Sequence, residues 1–148
     1  MIGDNVPKIL AAREGFDVRT AEVRNLTLDS TKNQLKEYLS GSGQVTIVKV
    51  AFDTPKKIVE INHNLGYQPL FTGWFKLDGT STWKTIPGGF TFATGSGDAT
   101  ILGAIDRPND NILQLHFYDY DIFGPEYTKS VDYKYIIYID PYKDAWNS

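Results

Sequence analysis

At 148 residues the chain has the size of one ordinary domain, and its 41% apolar and 22% charged content excludes a wholly disordered protein. A net charge of -3, with Lys and Arg scattered along the chain, leaves no basic face for nucleic acid, and the absence of cysteine excludes disulfides, thiolate metal sites and a thiol nucleophile. The 14% aromatic share points instead to β-structure, to an interaction surface, or to both.

The first forty residues differ from the rest. Isolated hydrophobes stand among charges in Glu14-Gly15-Phe16-Asp17-Val18 and Asn25-Leu26-Thr27-Leu28, a spacing that suits an extended arm over 1–40. Asp29-Ser30-Thr31 is placed to cap a short helix over 31–39, with Leu35, Tyr38 and Leu39 on one face and Gly41 as its stop. An alternating strand through Leu35 competes with that helix. Ser40-Gly41-Ser42-Gly43 reads as a flexible turn or linker, which puts a folded domain at 41–148.

Within that domain, short runs rich in β-branched and aromatic residues predict strands at 44–52, 57–62, 70–77, 82–86, 91–93, 100–105, 112–120 and 133–140. Turn residues separate nearly all of them, as in Asp53-Thr54-Pro55, Pro87-Gly88-Gly89 and Gly95-Ser96-Gly97-Asp98. Strands at these intervals, with no long helical segment between them, predict an all-β fold, an antiparallel sandwich or barrel rather than a βαβ sheet; the expected form is an antiparallel β-sandwich, jelly-roll-like, behind an extended amino-terminal arm. Alternation sets Leu113, Leu115 and Phe117 on one face of their strand. In 135–139 hydrophobes occupy both faces, the mark of a central or covered strand. Trp74, between Phe71 and Phe75, reads as core.

Catalytic constellations are weak. His63 and His116 are the two histidines, neither in a paired-ligand spacing, so structural or surface roles are expected, with no metal, no cofactor and no enzymatic activity. Asp119-Tyr120-Asp121 puts two carboxylates on one side of an extended segment, short of the ligand count of a calcium loop, and reads as a solvated strand end. Nothing in the sequence argues for a pair of hydrolytic carboxylates, and the glycine pairs lack the lysine of a phosphate cradle. Exposed aromatics are the stronger signal. Trp83, Tyr118 and Tyr120 are candidates for stacking on a sugar ring, with Trp74, Tyr133 and Tyr142 as further members of such a platform, against a reading in which they pack on core or subunits.

One stretch is more specific: Val59-Glu60-Ile61-Asn62-His63-Asn64-Leu65-Gly66-Tyr67-Gln68-Pro69-Leu70-Phe71. It resembles the "V-x-H-N-L-G-Y-x-P-x-F" segment of small β-rich structural proteins of tailed bacteriophages and prophages. Upstream, Lys8-Ile9-Leu10, Gly15-Phe16-Asp17-Val18-Arg19-Thr20-Ala21 and Leu26-Thr27-Leu28-Asp29-Ser30 are similar to the amino-terminal pattern of the same proteins, in the same order. Longer, more aromatic hairpins after Tyr67 depart from that pattern. The resemblance implies a virion component, in the tail, neck, fibre or head decoration, and fixes no catalytic residue.

The residues agree with a structural use of the motif. Val59 and Ile61 alternate into a core, His63 and Asn64 begin a turn that His63 hydrogen-bonds, Gly66 takes a positive φ, Tyr67 follows it and Pro69 restricts entry to the next strand. The expected function is that of a bacteriophage virion structural protein, made in the host cytoplasm. It forms a homo-oligomer, a trimer among the options, and docks its arm on neighbouring virion proteins through Ile9, Phe16, Val18, Leu26 and Leu28. No membrane partner is expected, since the longest apolar runs fall far short of the ~20 residues a helical span needs. The alternative is a carbohydrate- or receptor-binding module on the virion surface that takes a glycan at Trp83, Tyr118 and Tyr120.

Overall fold

A computed structural model describes residues 10–12, 26–29 and 36–139. All of its regular structure is β. Contacts divide the chain into two units, one of residues 1–37 with 138–148 and one of residues 38–137. In the first, β1 (Leu10–Ala12) pairs antiparallel with β2 (Leu26–Asp29), with Leu28 opposite Ala11 and Leu26 opposite Ala12. The second is a sandwich of two antiparallel four-stranded sheets.

The sandwich strands are β3 (Lys36–Lys49), β4 (Lys56–Asn62), β5 (Leu70–Leu77), β6 (Lys84–Thr85), β7 (Gly88–Thr94), β8 (Gly97–Asn109), β9 (Ile112–Tyr118) and β10 (Tyr127–Ile139). One sheet has the order β3-β10-β5-β6 and the other β4-β9-β8-β7. First strand pairs with last and second with second-last, the nested pairing of a jelly roll, whereas β7, β8 and β9 form a plain meander.

Strict alternation explains why these residues form strands. Leu113, Leu115 and Phe117 are fully buried, and Ile112, Gln114, His116 and Tyr118 between them are half-buried on the other side. Across the sandwich they meet Ile47, Phe75, Leu77, Val131 and Ile137. Phe75 lies at the centre, edge-on to Phe90 at 5.1 Å between ring centroids and tilted on Phe117 at 5.6 Å. Tyr133 stacks on Phe117 at 5.9 Å and on Tyr135 at 6.5 Å, which extends the core along β10.

Three expectations need correction. Residues 36–39 are strand rather than the end of a helix, and 31–35 lie outside the described residues. The Ser-Gly-Ser-Gly segment at 40–43 is the interior of β3 and not a linker, so the expected boundary at 40/41 falls inside a strand. Gly41 and Gly43 face inward, where a Cβ would collide with the Tyr135 and Tyr133 rings; the glycines make room for tyrosines from the neighbouring strand. Trp74 is only half-buried and points out of the sheet, because Phe71, Gly73, Phe75 and Leu77 take the inward parity of β5.

Candidate functional site

Loops meet at both ends of the sandwich. At one end the chain leaves β4 through His63 and Asn64, whose amides both donate to the Asn111 carbonyl at 3.0 and 3.2 Å. The Asn111 side-chain oxygen accepts from Gly66 N at 2.9 Å, and Arg107 donates to the Pro69 carbonyl at 2.8 Å. Asn64 and Gly66 both have positive φ, 57° and 73°, which the asparagine tolerates and the glycine adopts freely. His63 is buried, its Nδ1 accepts from Leu65 N at 3.3 Å and its carbonyl accepts from the Tyr38 hydroxyl at 2.9 Å. Burial, with Arg107 nearby, holds its pKa below the ordinary 6.5. Tyr67 and Pro69 are buried as well. The His63, Asn64, Gly66, Tyr67 and Pro69 motif is thus a hydrogen-bonded turn that closes this end.

The opposite end is built around Lys49. It continues the inward row of Val45 and Ile47, so a charged side chain enters the sandwich and is 2% exposed. Its Nζ donates to two carbonyls, those of Asp53 in the β3–β4 loop and Asp121 in the β9–β10 loop, and so ties the two loops together. Asp119 is the second buried polar group there. Its carboxylate accepts from Asp121 N at 2.8 Å and from the Tyr127 hydroxyl at 2.9 Å, which corrects the expectation of a solvated strand end at that residue. Burial and then that bond to Asp119 raise the Tyr127 pKa well above the usual phenol value. Asp121 in turn accepts from Phe123 N at 3.1 Å, and Glu126 accepts from Ala51 N at 2.9 Å.

On this knitted base stand large apolar side chains in water. Phe52 is 73% exposed and Phe123 83%, edge to face at 6.3 Å, and Val50, Tyr120 and Ile122 are exposed around them. Phe52, Ile122 and Phe123 share a surface hollow of about 240 Å³, and Tyr120 and Ile122 border a second of about 260 Å³ with Asp98. Phe52 reaches its position with φ of 59°, a conformation that bulky residues rarely take.

The candidate stacking residues do not come together. Tyr118 lies on the outer face of the β4-β9-β8-β7 sheet, where Lys56 Nζ sits 5.7 Å from its ring centroid. Trp83 stands in the loop just before β6 of the other sheet, with Lys134 Nζ at 4.2 Å and Lys76 Nζ at 5.3 Å from its ring. Tyr120 is at the Lys49 end, Tyr133 faces the core, and Tyr142 lies outside the described residues. His116 is half-buried beside Tyr118, bonded to Gln114 at 3.0 Å, and burial followed by Lys56 lowers its pKa. Of the arm residues, Ile9, Phe16 and Val18 lie outside the described residues, and Leu26 and Leu28 are on β2.

Among the described residues no group of three or more His, Asp or Glu is gathered as a metal site, and no helix is long and apolar enough to cross a membrane. Comparison with family models, with curated proteins and with solved structures finds no match.

Sequence reading missed the end cluster. By sequence Phe52 falls at a strand end and Phe123 in no element, and the signal that marks them is Lys49 at an inward position of a β-strand, a charge that needs carbonyls from converging loops.

Proposed function

We propose that the chain is a structural protein of a bacteriophage particle that works by packing against other subunits, as a tail, neck, fibre or head-decoration component. The observation that carries this reading is the apolar tip at the Lys49 end. Exposed phenylalanines on free loops would collapse onto their own protein, whereas Phe52 and Phe123 are kept apart from the core by loops pinned through Lys49 and Asp119. Covering each ring with a neighbour is worth about 2 kcal/mol, enough together with surrounding contacts to hold a subunit in a symmetric particle. The resemblance of the 59–71 and amino-terminal segments to phage structural proteins supports the setting. The spaced hydrophobes Ile9, Phe16, Val18, Leu26 and Leu28 suit an arm laid across a neighbour.

The test is incorporation. Particles purified from a host producing the phage should contain the chain by mass spectrometry. Phe52→Ser with Phe123→Ser, and separately deletion of residues 1–28, should leave a protein of native circular dichroism that no longer enters particles. Absence of the unaltered chain from purified particles, or normal incorporation of both variants, would refute the proposal.

A further inference from the structure

The outer face of the β3-β10-β5-β6 sheet carries a hollow of about 410 Å³, bordered by Ser40, Ser42, Trp74, Lys134 and Ile136. Its origin is a step in side-chain height. The side-chain bonds from Gln44 to Asp132, 2.7 Å, and between Thr46 and Ser130, 3.0 Å, set the register of β3 against β10. Counting along that antiparallel pair puts Ser42 beside Lys134 and Ser40 beside Ile136. Two serines therefore stand where the next strands carry a lysine, an isoleucine and a tryptophan, and the surface drops between them.

The charge at this place rests against aromatic rings. Lys134 Nζ sits 4.2 Å from the centroid of Trp83 and 5.5 Å from that of Trp74, so two indoles hold one cation against the wall of the hollow. Lys76 adds a second positive charge, 5.3 Å from the Trp83 centroid. Among the described residues no carboxylate forms an ion pair with Lys76 or Lys134, and Asp132 on the same face accepts from Gln44 instead. The hollow thus offers an apolar indole wall, two hydroxyls and a cation that has no anion opposite it among the described residues.

We propose that this hollow binds an acidic saccharide: a pyranose bearing a carboxylate, with its apolar ring face against Trp74, its hydroxyls bonded to Ser40 and Ser42, and its carboxylate on Lys134. The volume falls in the range of about 300–1,000 Å³ usual for small-ligand sites. The open, shallow form suits a residue at the end of a glycan chain. Two polar positions beside one flat apolar wall match a sugar's alternation of hydroxyls and C–H face, and the Lys134 cation selects for the acid. The site is independent of the apolar tip, and the proposal holds or fails without regard to the particle.

The test is a titration of the full 148-residue chain, labelled with nitrogen-15, with 3′-sialyllactose, trigalacturonic acid, lactose and poly-glutamate. At least one acidic saccharide should saturate shifts of the Trp74 indole and of the amides of 40–42 and 134–136, with lactose more than tenfold weaker. Lys134→Gln should weaken binding about tenfold, and Ser42→Trp, which fills the hollow from the solvent side and leaves the core untouched, should abolish it. Trp74→Ala should do the same, with the other two variants standing if it fails to fold. No shift on this face with either acidic sugar, equal binding of lactose, equal binding of poly-glutamate, or binding unaltered by both Lys134→Gln and Ser42→Trp would each overturn the proposal.

Discussion

The two ends of the sandwich solve the same problem with opposite results. Each gathers loops whose backbone groups need partners, and each supplies them from a few polar side chains: buried His63, half-buried Arg107 and exposed Asn111 at one end, buried Lys49 and Asp119 at the other. At the first, the hydrogen bonds draw Tyr67 and Pro69 in and close the turn. At the second, they hold the loops so that Phe52 and Phe123 stay out. The difference teaches that buried polar groups in this fold position loops as much as they stabilise them, and that what the loops present is decided by the residues at their tips.

The sharpest way to break the comparison is Lys49→Met. It strands the Asp53 and Asp121 carbonyls without a donor, and a loss of about 3 kcal/mol is expected in chemical denaturation, with faster hydrogen exchange confined to 50–55 and 119–126. Asn111→Ala makes the matching cut at the other end. It removes the acceptor of Gly66 N while its own carbonyl bonds remain, so a loss of about 1 kcal/mol is expected, with exchange rising in 63–68 and no change at the Lys49 end.

A change of pH probes the same asymmetry. The folded pKa of His63 is depressed, so the stability its neutral form contributes is fully present above the unfolded value of 6.5 and is lost as pH falls below it toward the folded value. His116 acts in the same window and the same direction. The denaturation midpoint should therefore fall between pH 7 and pH 5, and His63→Gln with His116→Gln should flatten that part of the profile; an unchanged slope would mean the histidines are not its source. The smallest effect on stability belongs to Phe52→Ser and Phe123→Ser. Each should alter it by less than about 0.5 kcal/mol, since the rings bury little in the isolated chain.

How much of this was legible depended on whether a signal was local. Residues 70–77 are a strand as read, and 57–62 differs by one residue, because alternation or an apolar run bounded by turn residues needs no partner to be recognised. Ser40-Gly41-Ser42-Gly43 misled because its composition is that of a linker, and what makes it strand is the pair of tyrosines on β10 that fill the glycine positions. The Trp74 assignment failed on parity. Thr72 and Lys76 share its side of β5, and a polar pair flanking a tryptophan at two-residue spacing is the local evidence that it faces outward. The stacking trio is separated for a different reason, since Tyr118 is on β9 and Trp83 stands just before β6 of the other sheet, a fact that only the pairing order supplies.

That pairing order also bears on the timing of folding. The meander of β7, β8 and β9 closes through short turns and can form as soon as it is made. The β3-β10 pair joins residues such as Gln44 and Asp132, 88 positions apart, at a far larger loop-closure cost. During synthesis β3 must therefore wait, one face apolar and unpaired, until β10 has left the ribosome. Its glycine and serine segment is an asset in that interval: a stretch with so little side chain is a poor template for another strand, and it becomes a firm part of a sheet only when its own tyrosines arrive.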